Sequence, residues 1–460
     1  MDTYNYLFTF LFINVIIKHM GFKNMSLGQL VQLLEVGGPK SAKEITEKLR
    51  ISQPSFSRAV SSMPGILKIG SGRSCKYALK RQDESYPIVK VSEDAQIQPV
   101  GEIYLLKPKG AALIPHKSAK DVSPEIYEDI PFYIWDIRPQ GFLGKIFVKQ
   151  NQDLALPEQW QNWKESDLYR SLKTKGDQLS GNLIIGNQSL KNYQLKKSVY
   201  IEEEEKSQQY ASLADKTLKG AHAGSSAGGE QPKFTTILHN KKFGHRHVIV
   251  KFSQPIDSEA GKRWADLLYS EQIALKLLAS TDHPATQAEA MEIENRIFLE
   301  LTRFDRVESA GRKGIISLGA VDDEYVGARA NWTSTAIELK QKKMISEKSK
   351  NEIIFLNCFG HMIANSDMHF GNLSLYWEPG QKKLQVAPVY DMLPMFYAPV
   401  QGNIVDKTFA PPPQSFEQME VWNSAKALAT EFWQRLTKDD RISSEFKKIA
   451  QENASILDLS

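Results

Sequence analysis

At 460 residues the chain is too long for one ordinary domain, and two or three are expected. Its 41% hydrophobic and 24% charged residues describe a globular protein with ample core, which excludes a disordered or collagen-like chain. A net charge of +4 confines any nucleic-acid surface to a local patch. The two distant cysteines, Cys75 and Cys358, offer neither a disulfide framework nor a thiolate metal site and suit a reducing cytoplasm.

Residues 1–25 contain an apolar run, Leu7–Ile17, of signal-peptide length but without a basic leader or a small-residue cleavage site. The run is short for a membrane span, so no membrane association is expected, a membrane anchor being the less favoured reading. Met20 and Met25 stand just before the first well-formed helix signal, and 1–25 reads as an over-long start or a frayed extension.

Residues 26–82 show three short helices and a hairpin. Ser26 can cap SLGQLVQLLEVG, and Gly37-Gly38 end it. Ser41 opens SAKEITEKLR with Glu44 at the capping-box spacing. In QPSFSRAVSSM, Pro54 suits a first helical turn, Phe56 and Val60 face inward, and Ser55, Ser57 and Arg58 face out. ILKIGSGRSCKYAL is two short alternating runs around a Gly-Ser-Gly turn. This order resembles the winged helix-turn-helix family of DNA-binding domains. The resemblance implies a third helix in the major groove, with Ser55, Ser57 and Arg58 reaching bases or phosphates. Lys68, Arg73 and Lys76 on the hairpin would neutralise phosphates. A small protein-interaction module with a solvated basic face is the other reading.

Gln82–Pro99 is polar and contains proline, which predicts a linker. VGEIYLLKP, AALIPHK and PFYIWDIRPQGFLGKIFVKQ read as short strands and turns, PEQWQNWKESDLYRSL as a helix, and Glu202–Glu205 as a solvated helix face. Gly220–Phe234, GAHAGSSAGGEQPKF, has four glycines, which let backbone N–H groups converge on phosphate oxygens. It matches neither the P-loop nor the Rossmann spacing. In the strand pattern that follows, Val248, Val250 and Phe252 alternate and Lys251 points the other way. A lysine on a strand just after such a loop is how kinases reach the α/β-phosphates. ADLLYSEQIALKLL is an amphipathic helix whose Glu271 either pairs with that lysine or sits on the surface. IFLELTRFDR reads as a strand leading to a hinge.

Next comes an apolar helical face of Ile353, Leu356, Phe359 and Ile363, then NSDMHFGN, then Leu373, Leu375 and Trp377 in strand alternation. Asp391 follows in VAPVYDMLP. An Asp, an Asn five residues later and a distant Asp is the layout of kinase machinery. One Asp serves the acceptor hydroxyl, and the Asn and second Asp hold Mg²⁺. Either segment alone reads as turn residues and a helix cap; the order of the chain points to the kinase.

GGEQPK, TRFDR, SDMHFGN and PVYDMLP in this order resemble the HipA family of bacterial toxin kinases, and the fused N-terminal module resembles its YjjJ branch. The resemblance implies an α+β, protein-kinase-like two-lobed HipA fold preceded by a small winged helix-turn-helix domain. Residues 83–219 would be a β-rich subdomain, 220–308 the N-lobe and 309–460 a helical C-lobe. It further implies a serine/threonine kinase of a type II toxin–antitoxin-like system, transferring the ATP γ-phosphoryl to a protein serine. Asp367 would be the catalytic Asp, Asn372 and Asp391 the Mg²⁺ ligands. Ser226, Gly228, Gly229, Gln231, Lys233, Lys251, Asn372 and Asp391 would contact ATP. Ser226, with Ser225 adjacent, matches the serine the family autophosphorylates, and a phosphate there would repel those of ATP. His369 is expected to hydrogen-bond structurally. Thr302 stands where the family often has Glu, with Glu300 two residues earlier, which alters the adenine contacts. The family implies an aminoacyl-tRNA synthetase among protein substrates, an antitoxin partner and DNA; a homodimer would read two half-sites. A DNA-binding regulator with a nucleotide-sensing, non-catalytic kinase-like domain and a metal-dependent nuclease are the alternatives.

Overall fold

The computed structural model describes residues 27–196, 199–221 and 231–459. Leu7–Ile17, Ser26, Ser225, Ser226, Gly228 and Gly229 lie outside the described residues. The chain divides into two units. One comprises the described residues up to Val89 with Pro99–Pro131 and Ile185–Asn187; the other comprises Lys90–Gln98, Phe132–Ile184 and the rest.

In the first unit, helices Leu27–Gly37, Ala42–Leu49 and Gln53–Ser61 bury Leu30, Leu34, Ile45, Phe56 and Ala59 with Ile66 in one core. Their ends are set locally. Ser41 Oγ accepts the Glu44 N–H at 3.3 Å while the Glu44 carboxylate accepts the Ser41 N–H at 2.7 Å. Ser52 caps the third helix and Pro54 occupies its first turn. Strand Lys76–Val91 pairs antiparallel with both Ile66–Ile69 and the two-residue strand Lys40–Ser41. Gly70 and Gly72, at φ 83° and 59°, carry the turn of the hairpin. The sheet continues through Ile97–Leu106, Ala111–Pro115 and Glu125–Tyr127.

Residues 82–99, polar enough to suggest a linker, are instead mostly strand. Tyr86, Ile88, Val89 and Val91 are buried, and the polar residues before them ride on a ladder whose backbone bonds need no apolar side chain. A second correction concerns 131–150, expected as strands. It forms helices Phe132–Asp136 and Gly141–Gln150, broken at Pro139, because burial of Phe132, Tyr133, Ile134 and Phe142 overrides the strand preference of aromatics. Within 157–172 only the part from Glu165 is α-helix, Glu165–Lys175. The acidic run is no helix face either: Glu202 lies in a strand and Glu203–Glu205 form a 3₁₀ turn.

The second unit carries a five-stranded sheet in the order Ala288–Ile293, Arg296–Thr302, Gly244–Phe252, Lys233–Asn240, Ile201–Glu202. Phe234, Leu238, Val248, Val250, Phe252 and Phe298 pack on one face with Tyr210 of helix Lys206–Ala221. The long helix Glu259–Ser280, capped by Ser258, packs against strands Ala288–Ile293 and Arg296–Thr302 and is buried nearly all round. Beyond it come helices Leu318–Tyr325, Trp332–Gln341, Glu347–Met362, Trp422–Lys438 and Ser444–Leu459, with a small sheet Ile315–Ser317, Ser374–Tyr376, Gln385–Val386. Ile353, Leu356, Phe359 and Ile363 are fully buried, as are Leu373 and Leu375, so the helical and strand periods were both real. Among the described residues no helix is long and apolar enough to cross a membrane.

Candidate active site

Strand alternation that sinks Val250 and Phe252 into the core turns Lys251 to the opposite side, where it is still only 4% exposed. There the long helix delivers Glu271, fully buried, whose carboxylate oxygens lie 2.7 and 2.6 Å from the Lys251 ammonium. The Asp391 carboxylate contacts the same ammonium. Burial works against the charge on Lys251, but Asp391 and Glu271 outweigh it and hold the lysine above its ordinary range. Asp391 adopts φ 55°, in the left-handed region, and its N–H donates to Glu271 Oε1 at 3.1 Å. Burial would raise its carboxyl; Lys251 and Lys233 reverse that and bring it to about 2. Lys233 lies directly opposite Lys251 in the strand register, which puts both side chains on one face.

The second half of the site follows the helix Glu347–Met362. Ala364, at φ 58°, turns the chain out of the helix, and Asn365 is buried just after it. Asn365 Oδ1 accepts the Asp367 N–H at 3.0 Å and Asn365 Nδ2 donates to the Asp391 carbonyl at 2.8 Å. One side chain therefore fixes the two loops against each other. Asn372 Nδ2 donates to the Asp367 carbonyl at 2.7 Å, which commits the amide nitrogen to the loop and leaves Oδ1, the end a hard cation takes, for a ligand. His369 Nδ1 accepts the Gly371 N–H at 3.0 Å and caps the short turn Phe370–Asn372. Asp367 is exposed as a residue, while its carboxyl is partly desolvated. Burial and the neighbouring Asp391 push its pKa up, against the pull of His369, Lys233 and Lys251.

The described site thus gathers Lys233, Lys251, Glu271, Asp367, Asn372 and Asp391. Gln231 stands at the entry to the strand, donating to the Phe252 carbonyl at 2.5 Å. Sequence reasoning missed Asn365, whose one signal was a polar residue at the end of an apolar helical face. It also missed Tyr390, whose hydroxyl donates to the Gly371 carbonyl at 2.8 Å. Glu300 is absorbed elsewhere: its buried carboxylate takes the Tyr210 hydroxyl and Arg246, both at 2.6 Å, and Thr302 Oγ1 accepts from Arg246 at 3.2 Å. TRFDR is a fixed junction. Arg303 pairs bidentately with Asp305 at 2.9 and 2.8 Å, and Arg306 joins Asp305 at 2.7 Å and the Gly181 carbonyl at 2.9 Å.

In the first unit, Ser57, Arg58, Lys68, Arg73 and Lys76 are exposed. Ser55 is half-buried with its hydroxyl 2.9 Å from that of Ser52, so it serves the helix cap.

Two family models match the chain. The HipA-like C-terminal domain covers residues 225–457, and the YjjJ-like toxin, middle domain, covers 82–194. The chain belongs to the HipA family, in its YjjJ-like branch. Toxin YjjJ of Escherichia coli (strain K12) is 34% identical over 436 residues, which is 93% of this chain and 96% of that protein. Among solved structures, a chain of the Shewanella oneidensis MR-1 complex of HipA, HipB and operator DNA superposes with a TM-score of 0.52 at 14% identity. It covers 80% of this chain and 95% of that one, a likeness of fold. The Helicobacter pylori proinflammatory kinase CtkA gives a TM-score of 0.33 at 12% identity, over 50% of this chain and 87% of that one. The second unit therefore carries the HipA-like C-terminal domain, and the paired Lys251 and Glu271 sit within it.

Proposed function

We propose that this HipA-family chain is a Mg·ATP-dependent kinase that phosphorylates a serine of a partner protein. The observation that carries the reading is the convergence of Lys251, Glu271 and Asp391 with the Asp367–Asn372 loop, which Asn365 ties to Asp391. A strand lysine fixed by a helix glutamate suits the phosphates of ATP, and Asp367 is free to face an acceptor hydroxyl. The donor set fits Mg²⁺: Asn372 Oδ1 and the Asp391 carboxylate are hard oxygens, and two suffice for a cation that keeps waters and phosphate oxygens. When bound, Mg²⁺ would offset phosphate charge. Asp367 would orient the acceptor hydroxyl and take its proton, while Lys251 and Lys233 balance charge developing on the transferred group.

The test is transfer from γ-labelled ATP to the chain itself and to a panel of aminoacyl-tRNA synthetases, with label expected on serine only when Mg²⁺ is present. Within the chain, Ser226 or Ser225 is the expected acceptor. Nucleotide binding without label on any acceptor would favour a nucleotide-sensing regulator.

The N-terminal helices and hairpin are proposed as a winged helix that binds DNA. Support comes from the strand Lys40–Ser41 between the first two helices and from the exposed Arg58, Lys68, Arg73 and Lys76. Such a fused module would take the place of a separate operator-binding partner, and a dimer would read paired half-sites. DNA affinity should fall with salt, and Arg73→Ala/Lys76→Ala should flatten that dependence by about two phosphate contacts. Affinity indifferent to salt would contradict the assignment.

A further inference from the structure

On helix Trp422–Lys438, Ala425, Leu428, Ala429, Phe432, Trp433 and Leu436 face the core. The opposite face carries Asn423, Lys426, Thr430, Gln434 and Lys438 at three- and four-residue steps, and these line a surface groove of about 740 Å³. Asp458, from the last helix, lies on the same groove. A smaller hollow of about 290 Å³ shares Lys438 with it and continues to Ile273 and Lys276 of the long helix Glu259–Ser280. None of the candidate active-site residues lines either one.

The charges along this path are unevenly committed. Arg435 is held by Glu431 at 2.6 Å, and Asp439 by Arg441 at 2.6 Å. Among the described residues no carboxylate pairs with Lys276, Lys426 or Lys438, so the groove sets Lys426 and Lys438 against one unpaired wall carboxylate, Asp458, and the smaller hollow adds Lys276. From Asn423 to Lys438 the face rises through fifteen residue steps, about 22 Å at 1.5 Å each. That is the length of about six or seven residues of extended peptide.

We propose that this groove docks an acidic segment of a partner protein. The lysines supply point charges that accept carboxylates in several geometries, while Asn423, Thr430 and Gln434 offer amides and a hydroxyl to a peptide backbone. A nucleic acid fits less well. Its backbone carries a charge at every nucleotide and would run past Glu431 and Asp458, whereas a peptide can place its acids only where lysines stand. The proposal does not depend on phosphoryl transfer.

Fluorescence anisotropy with a labelled ten-residue Asp/Glu-rich peptide tests it, beside a single-stranded DNA decamer. Lys426→Glu/Lys438→Glu in the full chain should weaken peptide binding by about tenfold or more. Lys348→Glu/Lys382→Glu, exposed lysines elsewhere on the unit with the same change in net charge, should leave it within about twofold. Equal losses in the two variants would overturn the proposal, as would failure of the peptide to bind. DNA bound more tightly than the peptide through Lys426 and Lys438 would make the groove a nucleic-acid surface instead.

Discussion

Glu271 accepts the backbone N–H of Asp391 at 3.1 Å with the same carboxylate that holds Lys251 at 2.6 and 2.7 Å. One buried side chain on the long helix therefore sets both the lysine proposed to face phosphates and the loop that carries a proposed metal ligand. The left-handed conformation of Asp391 is stabilised from outside by this bond and by the Asn365 amide on its carbonyl.

Glu271→Gln should lower kcat/KM for Mg·ATP by about two orders of magnitude, since the amide keeps the shape but not the charge that fixes Lys251. Lys251→Met leaves Glu271 buried without its partner and should destabilise the chain by about 3–5 kcal/mol in urea unfolding. In the same urea unfolding, the double variant should lose less stability than the two single variants together. Strict additivity would show that the pair is not coupled.

The two site aspartates predict opposite pH behaviour. Asp391 is depressed to about 2 from 3.8, so its contribution is full above pH 3.8 and is lost as pH falls through about 2. Asp391→Asn should flatten the acid-side fall in stability across that window. Asp367 is shifted upward, so its ionised form costs the folded state, and Asp367→Asn should be slightly more stable than wild type at pH 8 while inactive in transfer. Thermal melts at pH 3 and pH 8 decide both.

Asn365 is 2% exposed and uses both ends of its amide, so Asn365→Ala should cost about 1–3 kcal/mol of stability. Transfer should slow by about tenfold or more as Asp367 and Asp391 lose their common brace. Asn365→Asp keeps the acceptor for the Asp367 N–H but cannot donate to the Asp391 carbonyl, and should not restore the rate. A normal rate in Asn365→Ala would remove it from the site.

The order of functional segments was legible because each sits beside a strong period: Lys251 within Val248–Val250–Phe252, and Asp367 between an apolar helix face and an alternating strand. Glu271 left two readings open, since an amphipathic helix shows its charged face without showing what covers it. Asn365 was illegible because its role is to join its near neighbour Asp367 to Asp391, which lies distant in the chain, and no local spacing encodes that second bond. The errors at 82–99 and 131–150 have the same origin. A polar stretch held by ladder bonds looks like a linker, and aromatic residues buried in short helices look like strands.

The most direct test of the central claim is intact mass after incubation with Mg·ATP, wild type beside Asp367→Asn. The account predicts one added phosphate on the wild type, mapping to Ser226 or Ser225, and none on the variant. A variant that gains the same phosphate would contradict the role given to Asp367, and a wild type that neither gains phosphate nor binds Mg·ATP would contradict the kinase reading.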